Sequence, residues 1–338
     1  MRYNLLGRTG LLVSELCLGT MTFGGKGFWQ VIGKQGQDEV NTLISRSMDA
    51  GINFIDTANV YAEGQSEELL GHALKGKRHD LIVATKVRGR MGKGVNQVGL
   101  TRGHIMQAVE DSLRRLQTDF IDLYQIHGFD AVTPLDDTLR TLDTLVQSGK
   151  VRYIACSNLA AWQMMKANGI SERHGWSRFE SVQALYTLAH RELEREIVPL
   201  VEDQQMGVLV WSPLAGGFLS GKFSRENEQN PEGARRSNFD FPPINRERVF
   251  DILDVLRDVA SEQSVSVAQI ALAWLLHQKI VTSIIIGAKT IEQLDDNLAS
   301  VQVKLSDDQL KRLNDISAPL PEYPAWMIQR QSSERLPS

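Results

Sequence analysis

Residues 52–61 read Ile-Asn-Phe-Ile-Asp-Thr-Ala-Asn-Val-Tyr, and the organisation of the whole chain follows from this stretch. The Phe-Ile pair before Asp56 favours a β-strand, and Gly51 can end a preceding helix. The apolar run stops at Asp56, and Tyr61 follows five residues later. Core packing alone does not account for a carboxylate and a phenol directly after a buried strand. An active site at the strand ends, as in a (β/α)8 barrel, does account for them.

The same alternation of helix and strand recurs along the chain. Helical periodicity predicts helices over 38–50, 66–75, 102–116 and 135–148. Apolar, β-prone runs predict eight strands, at 15–18, 54–56, 81–85, 120–126, 151–156, 181–186, 207–211 and 283–286. Short connections between these units favour an α/β protein with a closed parallel sheet, the (β/α)8 TIM barrel. A doubly wound open sheet is the alternative, but no Gly-x-Gly-x-x-Gly motif follows the first strand.

Two segments near the N-terminus lie outside the repeating units. Residues 3–16 hold two β-prone runs around Gly7-Arg8-Thr9-Gly10, which predict a β-hairpin. Residues 22–36 hold five glycines and predict a loop over one barrel end. Phe28 and Trp29 in this loop are available for a pocket, although Trp29 could equally pack the loop down.

The second half carries more chain than the barrel needs. Extra helices are predicted after strands seven and eight, the first at about 246–262. The polar segment 222–245 predicts a long loop, and the proline-rich tail at about 317–338 predicts irregular structure. Since neither a repeat nor a linker interrupts the pattern, residues 1–338 are predicted to form a single domain.

Composition sets broad limits on function. The 338 residues carry a net charge of −4, which gives no reason to expect nucleic acid or an acidic membrane surface as a partner. Cys17 and Cys156 each lie in an apolar run, which indicates buried free thiols in a reducing compartment. The N-terminus lacks the apolar region of a signal peptide, and no stretch approaches ~20 apolar residues. These features predict a cytoplasmic protein without a membrane partner.

Four side chains at consecutive strand ends suggest proton chemistry: Asp56, Tyr61, Lys86 and His127. A free phenol has a pKa of ~10, and a nearby ammonium lowers it. Asp56 could orient Lys86, and Tyr61 could then protonate a carbonyl oxygen that His127 also contacts. Such a reaction needs an electron source, and a hydride cofactor is suitable. Each residue alone could have a structural role, but four together favour catalysis.

In its motifs the chain resembles the aldo-keto reductases over about residues 1–316. The matching motifs are Gly7-Arg8-Thr9-Gly10-Leu11, Leu18-Gly19-Thr20-Met21, Asp56-Thr57-Ala58 with Tyr61, Thr85-Lys86, Asp122-Leu123-Tyr124-Gln125-Ile126-His127, Ser157-Asn158, Trp211-Ser212-Pro213-Leu214 and Ile286-Gly287-Ala288-Lys289. The resemblance implies a (β/α)8 barrel, reduction of an aldehyde or ketone with NADPH, and a catalytic tetrad of Asp56, Tyr61, Lys86 and His127.

The resemblance also implies a set of cofactor contacts. They are Thr20, Met21, Ser157, Asn158, Gln183, Trp211, Ser212, Pro213, Leu214, Gly216, Gly217, Lys222, Gly287, Lys289, Gln293 and Asn297. Ser157, Asn158 and Gln183 match positions that bind the nicotinamide amide. Trp211 matches an aromatic residue that stacks on the nicotinamide ring, although it could also be a core tryptophan.

The remaining contacts concern the phosphates and the adenine. The turn 212–217 would offer small residues and free N–H groups to a pyrophosphate, and Lys222 could pair with phosphate or be a solvated surface lysine. Thr290-Ile-Glu-Gln293 predicts a capping box, and a helix beginning beside Lys289 suits a 2′-phosphate. Gln293 and Asn297 match adenine contacts, or they are ordinary helix-surface residues.

Two other classes of protein share some of these sequence features. A metal-dependent barrel hydrolase needs several clustered imidazole or carboxylate ligands, and only His127 among the seven histidines ends a strand, so no metal is predicted. A cofactor-binding auxiliary or regulatory subunit with slow turnover is compatible with the intact tetrad and stays open. The sequence makes no prediction of oligomeric state.

Overall fold

A computed structural model describes residues 1–226, 236, 239–333 and 335. Within these residues a two-stranded antiparallel hairpin precedes a closed barrel of eight parallel strands. The hairpin strands are β1 (Tyr3–Leu5) and β2 (Leu12–Ser14). The barrel strands are β3 (Leu16–Gly19), β4 (Phe54–Asp56), β5 (Ile82–Val87), β6 (Ile121–Ile126), β7 (Val151–Ser157), β8 (Phe179–Leu185), β9 (Gly207–Trp211) and β10 (Ser283–Ile286). The predicted (β/α)8 barrel with its N-terminal hairpin is confirmed.

Helices surround the barrel and follow the predicted pattern. They are α1 (Gln37–Asp49), α2 (Gln65–Ala73), α3 (Arg102–Leu116), α4 (Leu135–Gln147), α5 (Ala161–His174), α6 (Leu193–Gln204), α7 (Arg246–Gln263), α8 (Val267–Leu276), α9 (Ile291–Ala299), α10 (Asp307–Ser317) and α11 (Ala325–Ser332). Side-chain N-caps begin several of them, such as Thr101 for α3 and Asn245 for α7. The extra helix predicted at 246–262 is α7, and it is followed by α8, which was not predicted as a separate helix.

The barrel interior consists of an apolar floor with a polar layer above it. The floor includes Cys17, Phe54, Ala84, Leu123, Ala155, Leu209 and Ile285. Because side chains alternate along a strand, the residue two positions further on also points inward. On β4, β5 and β6 these next residues are Asp56, Lys86 and Gln125, all buried. The polar groups therefore lie at the carboxyl ends of the strands, where barrel enzymes place their active sites.

The hairpin closes the opposite end of the barrel. Its Leu6 and Val13 pack into the apolar floor. Gly7 has a positive φ of 56°, and a Cβ atom there would meet the carbonyl oxygen of Glu180 at 2.1 Å. Only glycine allows this close approach of the two backbones.

Two sequence predictions about irregular segments are corrected. The segment 22–36 includes a short 3₁₀ helix at Gly27–Val31, and the tail predicted as irregular includes α11. Much of the predicted loop 222–245 lies outside the described residues. Among the described residues no single helix could span a membrane, while α7 and α8 together reach the necessary length and apolarity as a pair bent by 96°.

Candidate active site

A buried ion pair lies at the centre of the polar layer. The ammonium of Lys86 donates to Asp56 Oδ2 at 2.5 Å, to the carbonyl oxygen of Thr57 at 2.8 Å and to the hydroxyl of Tyr61 at 3.5 Å. Burial lowers the pKa of Lys86, but the charge of Asp56 and then that of Tyr61 outweigh it, so the pKa is raised overall. Lys86 is therefore a charged donor with one N–H directed at the phenol.

A tight turn holds Tyr61 at the rim of the polar layer. The turn Tyr61–Gly64 joins β4 to α2, and Ala62 and Glu63 adopt positive φ values of 48° and 55°. Such values are strained for non-glycine residues and persist only where the surroundings impose them. The Tyr61 ring lies between the ring of Trp29, 5.3 Å away between centroids, and that of His127, 6.0 Å away. Its orientation is thus fixed from two sides.

His127 follows β6 and faces Tyr61 with an edge-to-face geometry. Burial, and then the charges of Lys86 and Arg88, lower the pKa of His127 to about 3. The imidazole is therefore neutral near pH 7, where it can form hydrogen bonds but is not an acid. The structure brings all four residues of the predicted tetrad together.

The depressed pKa of His127 predicts an acid sensitivity of the fold. The unfolded chain binds a proton on this residue below about pH 6.5, whereas the native state resists it down to about pH 3. The stability that depends on neutral His127 is present above pH 6.5 and is lost as the pH falls through this window. The loss in the free energy of unfolding should amount to a few kcal/mol, since one pKa unit corresponds to about 1.4 kcal/mol.

His127→Gln should remove this dependence, and urea unfolding between pH 4 and pH 7 would measure it. The free energy of unfolding should fall less steeply with decreasing pH in the variant than in the unmodified protein. His174→Gln, on the exposed end of α5, is the matched control for the loss of an imidazole away from the site. Equal slopes for His127→Gln and the unmodified protein would contradict the expected burial of a neutral imidazole.

The residues predicted to contact the nicotinamide form one connected group. Ser157 Oγ and the backbone N–H of Asn158 both donate to the backbone carbonyl oxygen of Gln183, at 3.0 and 3.3 Å. Trp211 Nε1 donates to Asn158 Oδ1 at 3.1 Å. Gln183 Nε2 in turn donates to Asp56 Oδ1 at 2.8 Å. Half-buried Trp211 packs against the apolar floor on one side and stacks on Phe241.

The turn after β9 corrects one prediction. The backbone N–H groups of 212–217 were expected to be free for a pyrophosphate. In the structure the N–H of Ala215 donates to the carbonyl oxygen of Ser212, that of Gly216 to Ser212 Oγ, and that of Gly217 to the carbonyl oxygen of Leu214. Positive φ values at 212, 215, 216 and 217 fold the turn tightly enough to bind its own donors.

The start of α9 matches its prediction in part. Thr290 Oγ1 accepts from the N–H of Gln293, as an N-cap should. In a complete capping box the Gln293 side chain would accept from the N–H of Thr290. Here Gln293 Oε1 accepts from the N–H of Lys289, one residue earlier, at 2.9 Å. Asn297 is buried and donates to the carbonyl oxygen of Gly287, so it is not an ordinary surface residue. Lys289 itself is exposed.

The other predicted cofactor contacts differ in accessibility. Thr20 is fully buried, and its hydroxyl lies 2.8 Å from Ser66 Oγ. Its side chain thus ties β3 to α2. Met21 is half-buried and Lys222 is exposed. Pro213 is buried, while Leu214 and Ser212 are half-buried.

Two residues of this site were not singled out from the sequence. Gln125 is fully buried and donates to Asp56 Oδ1 at 2.9 Å. Its position two residues before His127 on an apolar strand was the available signal. Arg236 is buried and donates to the carbonyl oxygens of Ala215 and Pro242, at 2.8 and 2.7 Å, which ties the turn after β9 to the loop beyond it. Nothing in the sequence distinguishes Arg236 from its charged neighbours.

The polar groups of the site are suited to proton transfer and hydrogen bonding. Among the described residues no cluster of three or more His, Cys, Asp or Glu side chains could hold a metal. The site combines a Lys–Asp pair directed at a tyrosine with two glutamine amides, at the carboxyl end of a (β/α)8 barrel. The Aldo/keto reductase family matches residues 15–318, and the chain belongs to this family.

Curated relatives cover almost the whole chain. An oxidoreductase of Bacillus subtilis, YrpG, is 38% identical over 96% of this chain and 100% of its own length. A "putative aryl-alcohol dehydrogenase" of Schizosaccharomyces pombe is 36% identical over 94% of this chain and 96% of its own length. A "probable voltage-gated potassium channel subunit beta" of rice is 35% identical over 90% of this chain and 92% of its own length. The chain is therefore an oxidoreductase of the aldo-keto reductase family.

Proposed function

We propose that the protein reduces aldehydes or ketones to alcohols with NADPH and that Tyr61 donates the proton. The observation that carries this proposal is the Lys86 ammonium, which contacts both the Asp56 carboxylate and the Tyr61 hydroxyl. A charged donor on the phenol oxygen makes the phenol a stronger acid. When bound, a nicotinamide cofactor supplies the hydride that adds to the carbonyl carbon.

The residues of the chain have distinct tasks in this proposal. Tyr61 donates its proton to the carbonyl oxygen as negative charge builds there, and Lys86 stabilises the phenolate that remains. His127, being neutral, orients the carbonyl oxygen by hydrogen bonding and does not supply a proton. Asp56 keeps Lys86 charged and directed. After the reaction the phenolate regains a proton from water.

The residues present fit a nicotinamide cofactor. A primary amide binds well to paired hydroxyl and amide side chains, and Ser157, Asn158 and Gln183 lie within hydrogen-bonding distance of one another. Gln183 Nε2 also donates to Asp56 Oδ1, which connects the residues that would hold the nicotinamide to the Asp56–Lys86 pair beside Tyr61. Lys289, exposed at the N-terminus of α9, is suited to a phosphate because its ammonium and the positive end of the helix dipole both favour an anion there.

The aromatic side chains at the rim favour aromatic carbonyl compounds as substrates. Rings follow one another from Tyr61 through Trp29, Phe28 and Phe239 to Phe241, with successive centroids 5.3 to 6.2 Å apart. Phe241 stacks on Trp211 at the far side of the rim. Flat substrates gain from offset and edge contacts with such rings. The name of the fission-yeast relative, an aryl-alcohol dehydrogenase, agrees with this preference.

Turnover assays on the purified protein test the proposed function. NADPH oxidation should be followed by absorbance with matched aromatic and aliphatic aldehydes and ketones, with and without a chelator. We expect turnover that the chelator does not affect, and a larger kcat/KM for the aromatic member of each pair. Absence of turnover across the panel would reject the proposal.

Lys289→Ala should weaken NADPH binding far more than NADH binding. Only NADPH carries the 2′-phosphate, and a charge-assisted contact contributes about 1.5–3 kcal/mol. The dissociation constant for NADPH should therefore rise by about tenfold to a hundredfold. Fluorescence quenching with both cofactors measures the difference.

Two companion variants sharpen this test. Lys279→Ala removes the same charge from an exposed site before β10, at the opposite end of the barrel, and should change neither affinity. A hydrogen bond from Thr290 lowers the pKa of exposed Glu292, so a carboxylate stands at the start of α9 and opposes the phosphate. Glu292→Gln should therefore tighten NADPH. Equal losses of NADPH and NADH in Lys289→Ala would exclude Lys289 as the phosphate contact.

An auxiliary subunit is the second candidate, and the name of the rice relative favours it. Such a protein would bind NADPH as tightly as proposed but turn it over slowly. Single-turnover mixing of the NADPH-loaded protein with an aromatic aldehyde separates the two functions. Hydride transfer slower than about one per minute, with tight cofactor binding, would favour the auxiliary function. A cytoplasmic location remains a prediction from the sequence.

A further inference from the structure

Asp56 receives more hydrogen bonds than its pairing with Lys86 requires. Oδ2 accepts from the Lys86 ammonium, whereas Oδ1 accepts from Gln125 Nε2 at 2.9 Å and from Gln183 Nε2 at 2.8 Å. The two glutamines also contact each other, since Gln183 Nε2 lies 3.3 Å from Gln125 Oε1. All four side chains are at most 3% exposed. The carboxylate is therefore enclosed by one ammonium and two amides.

The barrel geometry accounts for this arrangement. Inward-pointing side chains from alternate strands share a layer in a (β/α)8 barrel. Asp56, Gln125 and Gln183 come from β4, β6 and β8, three alternate strands, and so they meet across the barrel axis. Lys86 on β5 lies between the first two strands and approaches Asp56 from the side. Leucine or methionine at position 125 would fill this layer without contributing a donor.

We propose that Gln125 is a positioning residue for the proton donor: together with Gln183 it holds one oxygen of Asp56, so that the other oxygen keeps Lys86 charged and directed at Tyr61. This inference rests on the proposed role of Tyr61 but concerns a residue outside the predicted tetrad.

The physical reason lies in the dry environment of the pair. A carboxylate and an ammonium in contact away from water can neutralise each other by proton transfer. Hydrogen bonds donated to a carboxylate favour its ionised form. The two amides thus keep the negative charge on Asp56 and the positive charge on Lys86. Without Gln125, more of the proton moves toward Asp56, and Lys86 supports the phenolate less.

Charged and titratable groups from four strands act on Tyr61, on the Asp56–Lys86 pair or on His127. They are Cys17 from β3, Asp56 from β4, Lys86 from β5, Arg88 after β5 and His127 after β6. Burial and then the charge of Asp56 hold the pKa of the Cys17 thiol well above its ordinary value. The pKa of His127 is about 3. Neither group changes charge near neutral pH, so Lys86 is the coupled group that matters.

The first measurement uses the apoprotein and requires no turnover. Tyrosine labelled at Cζ with ¹³C is titrated by NMR, and the Tyr61 signal, one of six, is assigned by its loss in Tyr61→Phe. In Gln125→Met the titration midpoint of Tyr61 should rise by about half a pH unit or more. The reason is that Lys86 carries less positive charge in this variant and its charge-assisted hydrogen bond stabilises the phenolate less. An unchanged midpoint would overturn the proposal.

The second measurement is the pH profile of carbonyl reduction. In Gln125→Met kcat should fall by about tenfold with KM within about threefold, and the alkaline limb should move upward with the NMR midpoint. Tyr124→Phe is the matched control, since the neighbouring Tyr124 hydroxyl is buried without a hydrogen-bond partner among the described residues and its loss should change neither quantity. Equal effects of Gln125→Met and Tyr124→Phe on kcat would also overturn the proposal.

A second variant guards against misfolding. If Gln125→Met unfolds, Gln125→Asn keeps an amide but withdraws it by one methylene, and the same upward shift is expected. If the unmodified protein reduces no carbonyl compound, the proposed function fails, while the NMR titration still decides whether Gln125 acts on Tyr61.

Discussion

Tyr61→Phe should lower kcat for carbonyl reduction by about 10²–10⁴-fold while leaving the affinity for NADPH nearly intact. The size follows from the usual contribution of a positioned general acid. The phenylalanine ring keeps the contacts with Trp29 and His127, so the rim should not collapse. Neutral His127 cannot replace the lost proton donor, because its pKa is about 3. Steady-state turnover and fluorescence quenching measure the two quantities.

Tyr153→Phe is the matched control for this change. The Tyr153 hydroxyl donates to the carbonyl oxygen of Thr9 at the hairpin end of the barrel, far from the polar layer. Removal of this hydroxyl should cost some stability but little turnover. Turnover of Tyr61→Phe within a few-fold of the unmodified protein would mean that another group delivers the proton.

Lys86→Met should lower turnover on the order of a hundredfold and also destabilise the fold. The Tyr61 phenol loses its charged hydrogen-bond donor, so its pKa should rise. The limb of the kcat–pH profile that reports ionisation of Tyr61 should therefore move to higher pH. The Asp56 carboxylate is left buried without its countercharge, which usually costs about 3–5 kcal/mol. Urea unfolding and the pH profile of kcat measure the two effects. An unchanged pH profile would contradict the coupling of Lys86 to Tyr61.

A double variant separates the two effects of Lys86→Met. Asp56→Asn with Lys86→Met removes both charges, and the amide can still pack beside Gln125 and Gln183. Stability should largely recover, because replacing a whole buried ion pair is much less costly than breaking it. Turnover should stay low, since the phenol still lacks its charged donor. Recovery of turnover together with stability would show that Lys86 only supports the fold.

The barrel and the tetrad could be predicted because their signals are local. Each barrel strand is a short apolar run flanked by turns, and the period of two along a strand determines which residues point inward. Asp56, Lys86 and His127 each interrupt such a run at its carboxyl end, where parallel strands converge. Tyr61 follows Asp56 by five residues, so it lies at the same end of the barrel. Predicting these positions therefore requires only the local sequence and the knowledge that the sheet closes.

Failures occurred where a residue has several possible partners. The N–H groups of the turn at 212–217 were expected to be free, but positive φ values bring oxygen atoms of the same turn within reach of those of Ala215, Gly216 and Gly217. The tail was predicted to be irregular because of its prolines, but α11 begins directly after Pro324. Gln293 was assigned to Thr290 in a capping box, yet its side chain binds the N–H of Lys289 instead.

The local sequence pattern therefore predicts which residues lie at the carboxyl end of the barrel. This pattern was sufficient to predict the residues at positions 56, 61, 86 and 127. The environment of Asp56 depends on closure, because Gln125 and Gln183 come from strands that are far apart in sequence and share a layer only when the barrel is complete. The neutral state of His127 likewise arises from burial beside Lys86 and Arg88. Hydrogen bonds and pKa shifts depend on distances across the barrel, and only the closed structure determines those distances.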